Sequence, residues 1–324
     1  MHSPFKFKTD QDDRKEDKMG SSQSSTFTTE MNFGGTIVPK RNPNYEEAAV
    51  KLKKGFSKTI GIHEEPIIEN RKIKRNDLRK GLKALCRTRK NHAAHKLRAA
   101  IKGAGTDETT LIEIICSQSN KGITEIKEEY KKEFGRDLEK DVKGDTSGDF
   151  EKFMVCLLQG TREENQPLDR AAAERDADLL IKAGPKKWGT DEETFSMIFA
   201  RRSFVQLREI ILIFEKKTGT LMEKMIESET SKELCSAYKT VVKLAKNPGN
   251  YFASRIYKGM KGAGTDEDTV IWNLVFTAEI CLENVKTEFK KLGSGKRTLE
   301  DAIKSEFRGD AEKLLLAVCK GNRN

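Results

Sequence analysis

Lys102-Gly103-Ala104-Gly105-Thr106-Asp107-Glu108 returns almost unchanged as Lys261-Gly262-Ala263-Gly264-Thr265-Asp266-Glu267. A third copy, Lys187-Trp188-Gly189-Thr190-Asp191-Glu192, lies between them. The threonines stand at 106, 190 and 265, so the copies are spaced by 84 and then 75 residues. Recurrence at such a period is the mark of a repeat architecture, in which one supersecondary unit is stacked several times. Each copy follows a helical stretch (His95–Ile101, Asp176–Ala183, Phe252–Met260). Each also precedes another, with apolar residues three and four apart: Leu111, Ile112, Ile114, Ile115; Phe195, Ile198, Phe199; Val270, Ile271, Leu274, Val275. That spacing is the stripe of a buried helix face. Each unit of about 70 residues therefore reads as helix, Gly loop, helix, two further helices, acidic turn and last helix.

Glycines in such a loop permit unusual backbone angles and leave carbonyls unshielded. Thr106 is placed to cap the following helix, with Asp107 and Glu108 in its first turn, where the helix dipole favours acid. One copy alone would be a well-capped helix–loop–helix. The acidic turn adds a second observation: Asp145 lies forty residues after Gly105, and Glu229 forty after Gly189. The fortieth residue after Gly264 is Lys304, but Leu292-Gly293-Ser294-Gly295-Lys296 looks two residues longer than its counterpart and moves the match to Glu306. A hard cation such as Ca²⁺ takes six to eight oxygens from carbonyls, carboxylates and water, and tolerates irregular geometry that Mg²⁺ does not. A loop of bare carbonyls closed by one distant carboxylate leaves positions open, which a lipid phosphoryl oxygen could fill.

The Lys-Gly-x-Gly-Thr-Asp-Glu loop, the carboxylate about 40 residues on and the 70-residue helical unit resemble the annexin family. Phe134-Gly135-Arg136-Asp137-Leu138, Gly144-Asp145-Thr146-Ser147-Gly148-Asp149 and Ala183-Gly184 through Glu193 fall in register with it. The resemblance implies an all-α fold of four repeats of about five helices each, forming a curved disc whose convex face docks on phospholipid. It implies calcium sites from the carbonyls of Ile101, Gly103 and Gly105 with Asp145; of Gly184, Lys187 and Gly189 with Glu229; and of Met260, Gly262 and Gly264 with Glu306. Trp188, at the tip of the third loop, is expected to contact the membrane, since an exposed Trp suits the interface. The expected organisation is a disordered tail over 1–42, a truncated first repeat over 43–90, and repeats over 91–163, 169–247 and 248–324. In the first repeat the Gly-x-Gly-Thr core is gone, and only 42 residues separate Gly61 from Gly103. Two middle helices are thus expected to be missing there, and no calcium site is expected.

The resemblance also places an Arg after each loop, paired with acid near the disc centre. Arg202 keeps that place, whereas Gln118 and Thr277 replace it, and Ala93 stands where the family often has Asp. These losses count against an ion-channel-like pore. Arg308-Gly309-Asp310 reads as the ordinary turn of the repeat, because Gly148-Asp149 is its equivalent.

Composition limits the alternatives. The 324 residues carry a net charge of +10, and no run of 18 apolar residues could span a bilayer. The first residues lack the apolar region of a signal peptide. The six cysteines are scattered without a Cys-x-x-Cys pair and are expected to be reduced, in a cytoplasmic protein that joins membranes peripherally as calcium rises. The histidines (2, 63, 92 and 95) pair with no nucleophile, and no P-loop or Rossmann glycine pattern exists, which argues against an enzyme. From Arg71 to Lys102 there are thirteen Lys/Arg and one acid, Asp77. If Leu78–Lys90 is one helix, Leu82, Leu85 and Cys86 form an apolar edge on a cationic rod, the composition of a membrane-surface helix. A second, calcium-independent reading therefore assigns acidic lipid, RNA or cytoskeletal partners to residues 71–102. Nucleic acid is the weaker of these. A protein partner of the tail and self-association on membranes stay open.

Overall fold

The computed structural model describes residues 76–103, 105–184, 192–229, 231–262, 264–292 and 297–321. The tail, most of the first repeat and the tip of the third loop, with Lys187, Trp188 and Gly189, lie outside them. Sixteen α-helices and no strand occur among the described residues.

Local chemistry sets where the helices begin and end. Ser119, Asp137, Asp169, Ser203 and Asn247 each accept a hydrogen bond from the backbone N–H three residues on, the bond that starts a helix. Thr298 and Asp301 form a reciprocal capping box. Gly135 and Gly219 end equivalent helices at φ of 65° and 66°, a conformation that glycine takes without penalty.

Three five-helix units follow one another. The first holds α2 (Arg89–Ile101), α3 (Glu108–Cys116), α4 (Asn120–Phe134), α5 (Leu138–Asp145) and α6 (Gly148–Leu158), after a single preceding helix α1 (Asn76–Cys86). The next holds α7 (Arg170–Ala183), α8 (Glu192–Arg201), α9 (Phe204–Thr218), α10 (Met222–Glu229) and α11 (Lys232–Lys246). The last holds α12 (Pro248–Met260), α13 (Glu267–Ala278), α14 (Leu282–Lys291), α15 (Leu299–Glu306) and α16 (Gly309–Lys320). In every unit the first helix packs on the second and third, and the fifth packs on the fourth. The apolar stripes named from spacing are buried, except that Val275 is only partly so.

Between units, α6 packs on α8 and α11, while α1 packs on α13 and α16. Helix α1 therefore meets the last unit as α6 meets the middle one, which is what the final helix of a first repeat should do. The expectation of a continuous cationic rod is corrected here. The helix stops at Cys86, and Thr88 caps a new one by accepting from the Asn91 N–H. Leu82 is buried in the core, and a side chain at Gly81 would meet Leu314 of α16 at 2.9 Å. Helix α1 thus packs on the last repeat, and Leu82 of its apolar edge is not open to a membrane.

Four cations of the basic stretch are engaged in ion pairs with other parts of the molecule. Lys80 pairs with Glu267 and Asp268, Arg89 with Glu279, Lys90 with Glu129 and Arg98 with Asp141. Residues 71–75 lie outside the described part.

Candidate functional site

The loop of the second repeat leaves α2 at Lys102, whose N–H bonds Arg98 O, and turns back so that the Asp107 N–H donates to Ala100 O at 2.9 Å. Gly103 and Gly105 sit at φ of 152° and 97°, where a side chain would be strained. The loop of the fourth repeat is built alike: Asp266 N–H donates to Gly259 O at 2.8 Å, with Gly262 and Gly264 at φ of 131° and 111°. Ile101 and Met260 are the buried or nearly buried last residues of the helices feeding these loops.

Each loop is tied to a distant carboxylate through its threonine. The Thr106 hydroxyl lies 2.7 Å from Asp145 Oδ2 and 2.8 Å from Asp145 O, the last residue of α5. The Thr265 hydroxyl lies 2.7 Å from Glu306 Oε2, at the end of α15. The sequence separations are 39 and 41, so the extra two residues do bring Glu306, and not Lys304, to the loop. In the third repeat Gly184 follows α7 and Glu229 ends α10, but the Glu229 side chain, Lys187 and Gly189 lie outside the described residues.

The threonine's role corrects the capping expectation. Asp107 caps α3, taking the Thr110 N–H at 3.0 Å, and Asp266 caps α13, taking the Thr269 N–H at 3.0 Å. That frees each preceding threonine to reach the carboxylate. The sequence signal for this was present: a threonine directly before a better cap, in all three copies.

Among the described residues no three His, Cys, Asp or Glu side chains converge on a point. A cation at these loops would rest on backbone oxygens plus one carboxylate, a donor set that suits a large hard ion of flexible coordination. The loops lack the several charged ligands that a tight single-ion cage requires.

Arg202 holds Asp176 through two hydrogen bonds and Glu163 through two more. The hydrogen bonds to Asp176 lead in holding its guanidinium charged. Gln118 and Thr277 turn back to carbonyls of their own helices, Ile114 and Asn273. A different pair links the second and fourth repeats, Arg255 with the buried Glu113 at 2.7 Å.

The annexin family model matches residues 92–157, 175–240 and 251–318, the three five-helix units. Human annexin A13 is 38% identical over 98% of this chain and 96% of its own length. The chain is an annexin. Among solved structures, annexin III superposes with a TM-score of 0.79 at 28% identity, covering 90% of this annexin and 99% of the other chain. A calcium-bound annexin (Sm)1 shares the fold at 21% identity, with a TM-score of 0.75 over 90% of this chain and 94% of its own. Annexins are in general binding and scaffolding proteins and not enzymes.

Proposed function

We propose that this annexin binds anionic phospholipid membranes in a calcium-dependent way, through the interhelical loops of its second, third and fourth repeats. The observation that supports this most is the threonine bridge, which holds one carboxylate against a glycine loop in both repeats where loop and carboxylate are described. The carbonyls of Ile101, Gly103 and Gly105 with Asp145, and those of Met260, Gly262 and Gly264 with Glu306, would hold the ion. Gly184, Lys187, Gly189 and Glu229 are the third set, with Trp188 entering the interface beside them. Bound Ca²⁺ would supply the positive charge and the vacant coordination positions that a phosphoryl oxygen fills. With one carboxylate per site, each loop binds calcium weakly until lipid completes the shell, which couples the two ligands.

No described helix is long and apolar enough to cross a membrane, so attachment is expected to be peripheral. The ion pairing of Lys80, Arg89, Lys90 and Arg98 counts against an open cationic face as the main binding surface.

Liposome sedimentation with calcium or chelator tests the proposal, comparing wild type with Asp145→Ala, Glu229→Ala and Glu306→Ala. Binding should require calcium and fall in the variants. Chelator-resistant binding that ignores all three substitutions would overturn it. A steep loss with salt in that case would return the function to the basic stretch.

A further inference from the structure

Two cavities, of about 550 and 470 Å³, lie side by side where α1, α2 and α13 meet. Volumes of this size are ordinary for small-molecule sites. Three residues line both: Arg87, His92 and Trp272. Each brings a polar group that the protein leaves unused. Arg87 stands in the break between α1 and α2, partly buried and with no hydrogen bond or ion pair to the described residues. Glu133 acts on it only through space, and that carboxylate is engaged by His95 at 3.3 Å. Trp272 is 3% exposed, and its indole N–H has no acceptor. His92 Nδ1 is buried and also without a partner. A buried polar atom left without a partner is costly, so two of them beside a partly buried guanidinium call for an occupant.

The charges around the wall are unequal. In the larger cavity Arg89, Lys90 and Lys121 are answered by Glu279, Glu129 and Glu125. In the smaller, Lys80 is answered by Glu267 and Asp268. Asp107 and Asp266 also face it and keep their negative charge, each with both oxygens on its own helix cap, Asp107 with Thr110 and Asp266 with Thr269, and Lys96 acts on Asp266 through space. Lys83 lines the smaller cavity too and has a contact of its own. Among the described residues Arg87 and Lys96 are the lining cations outside an ion pair, and Lys96 stands 5.6 Å from the Trp272 ring centre.

We propose that this paired cavity binds a phosphate-bearing anion, with Arg87 and Lys96 supplying charge and the Trp272 indole N–H and the His92 Nδ1–H donating hydrogen bonds. Burial lowers the His92 pKa to about 3, so the ring is neutral and donates from Nδ1 in its Nδ1–H tautomer. Guanidinium, ammonium and two ring donors reach several oxygens from different directions, which suits a phosphate better than a flat carboxylate. Asp107 and Asp266 each follow the threonine of a glycine loop, so the smaller cavity lies beside the loops of the second and fourth repeats. The source is then either a phosphoinositide headgroup or a free inositol phosphate. The headgroup source rests on the membrane reading above, and the anion site itself does not.

Calorimetry of the full chain with inositol trisphosphate in chelator tests the site. Sedimentation with vesicles of phosphatidylinositol bisphosphate, against phosphatidylserine vesicles of equal charge, tests the source. We expect saturable binding, weakened about tenfold or more in Arg87→Gln/Lys96→Gln, a pair outside the tight core whose fold is checked by circular dichroism. Asp145→Ala/Glu306→Ala should leave it unchanged, which separates its failure from failure of the calcium reading. The chain has two tryptophans, so Trp188→Phe leaves Trp272 as the reporter, and its emission should change on binding. Soluble binding with a bisphosphate-vesicle preference supports the headgroup source, and soluble binding without it supports the free phosphate. Absent binding, binding indifferent to Arg87 and Lys96, or silent Trp272 emission with binding intact would each overturn the proposal.

Discussion

The second and fourth repeats carry nearly the same loop and differ in how the carboxylate is held. Among the described residues Asp145 takes one side-chain hydrogen bond, from Thr106, and the same hydroxyl also touches the Asp145 carbonyl. Glu306 takes Thr265 on Oε2, Ser305 on Oε1 at 3.1 Å, and has Arg297 3.9 Å from Oε1. Asp145 thus keeps one oxygen and its full charge for a cation. Glu306 is more firmly placed, but it is partly neutralised and partly occupied. Its longer side chain and a two-residue-longer spacing restore the contact that Lys304 could not make. A repeat can therefore keep its loop geometry while its affinity drifts through the neighbours of one carboxylate.

The largest effect should come from removing the carboxylate. Asp145→Ala is expected to raise the calcium needed for half-maximal vesicle binding by roughly tenfold or more, on the scale of losing a hydrogen-bonded charged ligand. Glu306→Ala should cost less, because Arg297 and Ser305 already compete for that group. Calcium-titrated sedimentation of the two variants decides this, and a larger loss at Glu306 would invert the ranking. Gly105→Ala and Gly264→Ala come next. Their φ values of 97° and 111° are costly for a side chain, although no atom lies within 4 Å of the added Cβ. Strain of about 1–3 kcal/mol is expected in each loop. The same titration should give equal losses at the two positions, because the loop geometry is shared. Unequal losses would locate the difference between repeats in the loop and not in the carboxylate.

How much of this was legible in the sequence follows from which contacts are local. The helices, their apolar stripes and the glycine loops were legible because periodicity and capping residues lie within a few positions of one another. The match of loop to carboxylate was legible because repetition let one copy calibrate another, even through the two-residue insertion before Glu306. The threonine bridge itself was not: Asp107 is the better cap, but no local pattern says where the freed Thr106 hydroxyl goes. Nor was the end of α1: Arg87-Thr88 sits in a stretch rich in basic residues, and Thr88 caps α2 without the Gly or Pro that usually marks a helix end. Lys80 meets Glu267 across 187 residues, a pairing no local pattern contains.

The threonine bridge offers a smaller and more discriminating test. Thr106→Val keeps shape and removes the hydroxyl that holds Asp145, so the carboxylate should lose its fixed rotamer. A loss of about 0.5–1.5 kcal/mol is expected, or roughly two- to tenfold in calcium sensitivity. Thr265→Val should have less effect, because Ser305 still holds Glu306. Equal effects in the titration would mean that the extra contacts of Glu306 contribute nothing to its placement.

The smallest expected effect has the opposite sign. Arg297 reaches Glu306 at 3.9 Å with its side chain 46% exposed, a pair of the kind worth at most about 1 kcal/mol and screened by salt. Arg297→Gln removes a positive charge from beside a cation site without touching the loop. It should therefore improve calcium binding at the fourth repeat, by up to about fivefold at low salt and by less at physiological salt. Measured in an Asp145→Ala/Glu229→Ala background, where the fourth site dominates, the gain should shrink steadily as sodium chloride rises. A gain that ignores salt would mean that Arg297 acts on the shape of the 292–298 segment and not on the charge of Glu306. A loss of binding would show instead that Arg297 holds Glu306 in place for the ion. The fourth repeat's extra contacts would then favour calcium, and the ranking of the two sites would rest on Thr106 alone.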